Sequence, residues 1–183
     1  LCKGKSYGLE FLYQQKLQNN FYGIFSYTFF FSEFSNLDNI YLPSVWDNRH
    51  LISFTGGYKL KKNWEISSKL RYTGNTPYAP VDTTSSSFSY PEIIFDYSQL
   101  GNYFLQSFTK LDFRVDKRWN FKSTSMNFYI DIENLLGNEI PIPPEYGLSR
   151  DEKQNIIMPI DLIEVESDNR NSVIPSLGFV FYF

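Results

Sequence analysis

Cysteine and histidine are scarce: one of each, Cys2 and His50, in 183 residues. A single cysteine excludes a disulfide framework and a cysteine-based zinc site, and Cys2 is read as an inert thiol. A single histidine excludes a His-cluster metal centre and leaves a His-based triad little to stand on. Basic residues are not in excess, with 17 Lys and Arg against 20 Asp and Glu and a net charge of -3. No broad positive surface follows, so no nucleic-acid partner is expected. Long hydrophobic runs are missing too. The longest uncharged apolar stretch, Phe21 to Ser32, has twelve residues and includes Ser and Thr, short of the roughly 18 that a transmembrane helix needs. No signal peptide is visible. The first residue is Leu1, not Met, so the sequence is expected to begin within a longer protein. No Gly-rich phosphate loop, nucleophile elbow or convergent carboxylate pair is visible, and neither an enzyme nor a cofactor is expected.

What is abundant is aromatic: 14 Tyr, 18 Phe and 3 Trp make up 19% of the chain, which excludes a disordered protein. These residues recur with a period of two. Trp64, Ile66, Ser68, Leu70 and Tyr72 alternate with Glu65, Ser67, Lys69, Arg71 and Thr73. Leu111, Phe113 and Val115 alternate with Lys110, Asp112, Arg114, Asp116 and Arg118. Met126, Phe128, Ile130 and Ile132 alternate with Asn127, Tyr129, Asp131 and Glu133. Such segments are strands with one apolar and one polar face. The pattern predicts seven strands, at 6–17, 21–33, 49–60, 64–73, 108–118, 124–134 and 174–183. Most are longer than the usual five or six residues of globular strands and match the 9–11 of a tilted membrane strand. A mean hydropathy of -0.34 is compatible with a membrane barrel of alternating strands.

The connections alternate in length. Gln18–Asn20, Lys61–Asn63 and Trp119–Ser123 are tight polar turns, whereas 34–48, 74–107 and 135–173 are long. Short turns at one end and long loops at the other are the outer-membrane barrel pattern. A three-residue turn at Lys61–Asn63 predicts Leu60 opposite Trp64, Tyr58 opposite Ile66, Gly56 opposite Ser68, Phe54 opposite Leu70 and Lys59 opposite Glu65. Centring the later turn between Asn120 and Phe121 predicts Phe113 opposite Phe128, Val115 opposite Met126 and Lys110 opposite Asp131. In a soluble sandwich the apolar face would need a second sheet. Long strands, loop asymmetry and aromatics near strand ends (Tyr7, Tyr13, Trp64, Tyr72, Trp119) favour a lipid interface instead.

Several motifs resemble the late barrel of TonB-dependent outer-membrane receptors. Trp46-Asp47-Asn48-Arg49-His50 precedes a strand, a short turn, a second strand and Gly74-Asn75-Thr76-Pro77-Tyr78. Asp131-Ile132-Glu133-Asn134-Leu135-Leu136-Gly137-Asn138 resembles the family's penultimate strand and its corner, with Leu136-Gly137 in place of the usual Phe-Asn. Ile174 to Phe183 resembles the closing strand. In it Leu177, Phe179, Phe181 and Phe183 resemble the membrane-insertion signal read by the barrel assembly machinery. The resemblance covers about Trp46 to Phe183. It implies an all-β fold, in which residues 1–183 are the C-terminal part of a barrel whose plug domain and earlier strands are absent. It also implies an outer-membrane location with the lipid bilayer as partner, and TonB acting through the missing plug. The implied function is uptake of a scarce large solute of the siderophore, cobalamin or glycan class. The rival readings are a self-contained small outer-membrane barrel of structural or adhesive type, with Ile156–Val165 as its eighth strand, and an outer-membrane enzyme built on His50.

Four further groups are candidate sites. His50, Arg49 and Asp47 are read as a strand-start cluster at the rim rather than a ligand contact. Glu145, Asp151, Glu152, Asp161, Glu164, Glu166 and Asp168 have no EF-hand spacing and are read as a solvated acidic loop rather than a calcium site. Lys69, Arg71, Lys110, Arg114 and Arg118 are expected to pair with Asp112, Asp116, Asp131 and Glu133 and with the missing plug, more than to steer an anionic solute. Thr83 to Ser89, with Tyr90 and Tyr97, is read as a flexible Ser-rich loop in the region that first meets substrate.

Overall fold

A computed structural model describes residues 3–35, 40–165 and 172–183. Cys2, Glu166 and Asp168 lie outside the described residues. The elements are β1 (Gly4–Gln18), β2 (Phe21–Ser35), β3 (Tyr41–Pro43), β4 (His50–Leu60), β5 (Trp64–Thr73), α1 (Thr83–Ser89), β6 (Phe108–Asn120), β7 (Ser125–Glu133), β8 (Glu145–Leu148), β9 (Leu162–Val165) and β10 (Ile174–Tyr182). The seven long strands match the expected ones to within two residues at each end. The fold is all-β and antiparallel.

The long strands form one meander in the order β1-β2-β4-β5-β6-β7-β10, with β3 added beside β2. The sheet does not close on itself: among the described residues, β1 and β10 each pair on one side only. The alternation in the sequence places every apolar row in register. Tyr7, Leu9, Phe11 and Tyr13 of β1 oppose Phe31, Phe29, Tyr27 and Phe25 of β2. Phe25 opposes Phe54, Phe54 opposes Leu70 and Leu70 opposes Leu111. Val115 opposes Ile130, and Ile130 opposes Leu177. One face is therefore apolar across all seven long strands.

Among the described residues, nothing covers that face. Leu100 and Leu162 are the buried hydrophobic residues among those described, and both lie outside the long strands. The accessible surface is 13089 Å², whereas a compact monomer of 21.6 kDa exposes about 9,200 Å². A sandwich would have buried the face under a second sheet. The other sheet among the described residues is a two-stranded one, β8 with β9, among the long loops.

The turns have specific causes. Asn19 and Asn20 both take positive φ, 50° and 67°, the geometry that a two-residue hairpin turn requires and that Asn tolerates. The β4–β5 register matches the five expected pairs, from Leu60 opposite Trp64 to Phe54 opposite Leu70. The β6–β7 register differs from expectation by four residues. Arg114, not Lys110, opposes Asp131, Val115 opposes Ile130, and Trp119 opposes Met126. Trp119 and Asn120 stay in the strand, and the turn is Phe121–Thr124, closed by the Phe121 amide donating to the Thr124 carbonyl at 2.8 Å. An even shift keeps each side chain on its face.

The long loops are more ordered than their composition suggests. Thr83 to Ser89 forms a helix, not a flexible loop. Asp82 caps it, accepting from the Ser85 amide at 2.9 Å and the Ser85 hydroxyl at 2.6 Å. The Ser86 hydroxyl is buried and accepts from the Ile94 amide at 2.8 Å. The serines that read as linker composition are spent on a cap and a loop staple.

Candidate functional site

The polar face of β5, β6 and β7 carries a lattice of charges. Lys110 Nζ lies 2.9 Å from Glu133 and 3.6 Å from Asp112. Arg114 holds Asp116 through two bonds of 2.8 Å and stands 3.8 Å from Asp131. Asn127 donates to Asp116 at 2.7 Å, and Arg118 donates to Asn120 at 3.0 Å and Ser125 at 3.1 Å. Two of the five predicted cations thus pair with all four predicted acids. Lys69 and Arg71 have no carboxylate within ion-pair distance among the described residues. With Thr55, Asp112, Arg114 and Glu133 they line a depression of about 320 Å³. The lattice is charge-compensated on one side and leaves two cations open on the other.

Two tyrosines complete this face by lying over glycines. Tyr129 covers Gly178 and Tyr22 covers Gly57, positions where a Cβ would collide with the ring. This close approach brings Tyr129 under the Arg114 guanidinium, 3.9 Å from its ring centroid. It also lets the Tyr22 hydroxyl donate to Glu65.

At the loop end the two motifs around His50 and Gly74 meet. Asn48 Nδ2 donates to Thr76 Oγ1 at 2.5 Å, and the Gly74 amide donates to the His50 carbonyl at 2.8 Å. Asp47 is 1% exposed, with Arg49 at 3.1 Å. Burial raises its carboxyl pKa, and the Arg49 charge pulls the other way. Arg49 in turn stacks 4.1 Å over Phe31. His50 Nδ1 is 2.9 Å from the Tyr27 hydroxyl, and its ring packs on Tyr27 and Phe29. The three predicted residues are thus split: Asp47 and Arg49 clip the loop, and His50 belongs to an aromatic cluster.

Among its described residues, the predicted acidic loop does not converge. Asp151 closes a turn, accepting from the Lys153 and Asn155 amides at 2.9 and 2.8 Å, and hydrogen bonds from the Asn155 side chain and these amides lower its pKa. No group of three His, Cys, Asp or Glu that could hold a metal ion occurs among the described residues. The Ser-rich helix and this loop do form a crevice of about 370 Å³, lined by Thr83, Thr84, Ser87, Phe88, Pro159 and Asp161. Phe88 is 89% exposed there. Its volume is in the range of small-ligand sites.

The corner after β7 has a physical basis. Asn134 takes a positive φ of 52° and Gly137 one of 64°. The Asn134 amide donates to Asp112 at 3.0 Å, its side chain to the Asn138 carbonyl at 2.9 Å, and Asn138 Nδ2 to the Thr109 carbonyl at 2.8 Å. Leu177, Phe179 and Phe181 lie in the apolar rows opposite Ile130, Phe128 and Met126. Phe183 follows the end of β10 and is fully exposed.

Sequence reading missed Lys117. It lies on the apolar face, between Trp64 and Phe128 in register. Its parity with Phe113 and Val115 was the available signal.

Compared with known protein families, the chain matches none. No curated protein and no solved structure shows a significant similarity to it.

Proposed function

We propose that this chain is the closing part of the barrel of a TonB-dependent outer-membrane receptor, which takes up a scarce large solute of the siderophore, cobalamin or glycan class. The observation that carries the reading is the apolar face, continuous over seven long strands and uncovered among the described residues. A surface of that extent needs an apolar partner, and a bilayer is the partner that strands of nine to fifteen residues are long enough to cross. The two unpaired edges call for further strands, because unpaired backbone groups are costly in lipid. The polar face then lines the lumen. There Lys69 and Arg71 face the plug, the ion-pair lattice keeps the wall rigid, and the loop-end crevice meets the solute. Energy comes from the inner membrane through TonB acting on the plug, and the solute undergoes no chemical change.

The self-contained small barrel has less support. The segment that would supply its eighth strand yields β9, four residues long and paired with β8 away from the main sheet. An enzyme built on His50 finds the Tyr27 hydroxyl and the rings of Tyr27 and Phe29 around it. The test is uptake by cells carrying the full-length protein, with labelled ferric siderophore, cobalamin and maltooligosaccharide as probes. Uptake of one probe that disappears without TonB, at unchanged outer-membrane levels, is expected. TonB-independent uptake of every probe would mean an open pore and would overturn the reading.

A further inference from the structure

We propose that the turn end of the apolar face binds one anionic phospholipid, with Lys117 taking the headgroup phosphate and a notch at Gly56 and Ser68 taking an acyl chain. This rests on the membrane reading above, which puts the short turns at a bilayer surface.

Lys117 is a cation in an apolar row. Its neighbours in register are Trp64 on one side and Phe128 on the other. Its ammonium lies 5.2 Å from the Trp64 ring and 5.6 Å from the Trp119 ring, and it donates to the Lys62 carbonyl in the adjacent turn. The stem therefore runs along the aromatics while the charge rises toward the turn, as an interfacial lysine does. No carboxylate reaches it within ion-pair distance among the described residues. The nearest acids along the strands, Glu65 and Asp116, are on the polar face. Glu65 is held by Tyr22, and Asp116 by Arg114 and Asn127. The turns add Lys61, Lys62 and Lys122, so the charge at this end attracts an anionic headgroup.

The second observation lies four residues further into the face. Gly23 opposes Gly56, Gly56 opposes Ser68, and Ser68 opposes Phe113. Gly56 and Ser68 floor a dip of about 180 Å³ walled by Tyr58, Ile66 and Phe113, with the Phe54 ring leaning over Gly23 and Gly56 as its remaining wall. From Trp64 to Ser68 the strand descends about 13 Å. A lipid whose phosphate sits at Lys117 has the middle of an acyl chain at that depth. The ammonium without a carboxylate and the dip below it fit the two ends of one molecule.

The experiment uses the full-length protein in detergent, delipidated and titrated with phosphatidylglycerol or phosphatidylcholine, with bound lipids counted by native mass spectrometry. The first phosphatidylglycerol adduct is expected at a several-fold lower lipid concentration than the first phosphatidylcholine adduct. Lys117→Gln should remove that difference and Lys117→Arg should keep it. Ser68→Phe, which fills the dip and leaves the ammonium in place, should weaken the first adduct of both lipids. Equal affinity of the wild type for both lipids, or an undiminished preference in Lys117→Gln, would overturn the site. An unchanged first adduct in Ser68→Phe would do so too, even if Lys117→Gln failed to assemble. A wild-type protein that stays in aqueous solution without detergent and takes up neither lipid would overturn the membrane reading itself.

Discussion

Phe113 and Arg114 stand side by side in β6 and point to opposite faces of one sheet. Phe113 opposes Ser68 and Ile132 in the apolar rows, while Arg114 opposes Ser67 and Asp131 in the polar rows. With the apolar face in lipid, Phe113→Arg places a guanidinium near mid-bilayer, at a cost of about 2–4 kcal/mol. Its level in the outer membrane should fall sharply. Arg114→Phe loses the pairs with Asp116 and Asp131 but stays on the wet face, so the protein should still assemble. Quantifying both variants in outer-membrane fractions checks this. Equal levels would mean that the two faces are assigned the wrong way or that neither faces lipid.

The β1–β2 turn packs two positive-φ asparagines into two residues. Asn19 and Asn20 both lie in the left-handed region, so Asn20→Val should cost about 1–2 kcal/mol. Asn20→Gly should be neutral or slightly stabilising. Ser123→Val, in a turn with no positive φ, should be near neutral. Urea midpoints of the protein refolded into lipid vesicles give the comparison, and an Asn20→Val variant as stable as wild type would contradict the turn geometry.

These turns also show how far the sequence could be read. Lys61–Asn63 is short and flanked by Leu60 and Trp64, so one register satisfies both faces and the strands adopt it. At Trp119–Ser123 the ring of Trp119 fits the apolar row as well as a turn. Centring the turn at Asn120 put the partners four residues from where they lie. Face assignment survived because parity did. The loops were less legible because their bonds are made by side chains with no periodicity. Ser86 meets Ile94, and Asn48 meets Thr76 across 28 residues. The cationic rows were legible as charges, but which cations stay open depends on rotamers that parity does not encode. Lys110 bends to Glu133, and among the described residues Lys69 and Arg71 have no carboxylate at ion-pair distance.

Asp82 gives a pH-dependent loop. The Ser85 hydroxyl and amide lower its carboxyl pKa, so its stabilisation of α1 is fully present above the ordinary carboxylate range. It is lost as pH falls through the lowered value in the folded protein. Hydrogen exchange at the Ser85 and Ser86 amides should speed up several-fold in Asp82→Ala at neutral pH. Wild type should approach the same rate, after correction for intrinsic exchange, only below the usual carboxylate pKa. Unchanged protection in the variant would mean that α1 is held by its packing and not by its cap.

Phe179 and Phe183 belong to one alternating row but differ in what they touch. Phe179 packs on Phe128 with ring centroids 4.9 Å apart, whereas Phe183 extends past the ladder and is fully exposed. Folded stability and assembly are therefore separable at this terminus. Phe179→Ala removes a cross-strand aromatic pair worth about 0.5–1.5 kcal/mol beyond its area, so both the urea midpoint and the amount assembled should fall. Removal of Phe183 takes away no such contact, so the midpoint of refolded protein should hold. The amount delivered to the outer membrane should nevertheless fall, if the assembly machinery reads the terminal aromatic as the resemblance implies. Pulse-labelled cells and refolded vesicles report the two quantities separately. Normal delivery without Phe183 would end its role as an insertion signal. A lowered midpoint would show instead that the residue contributes through packing in the folded protein.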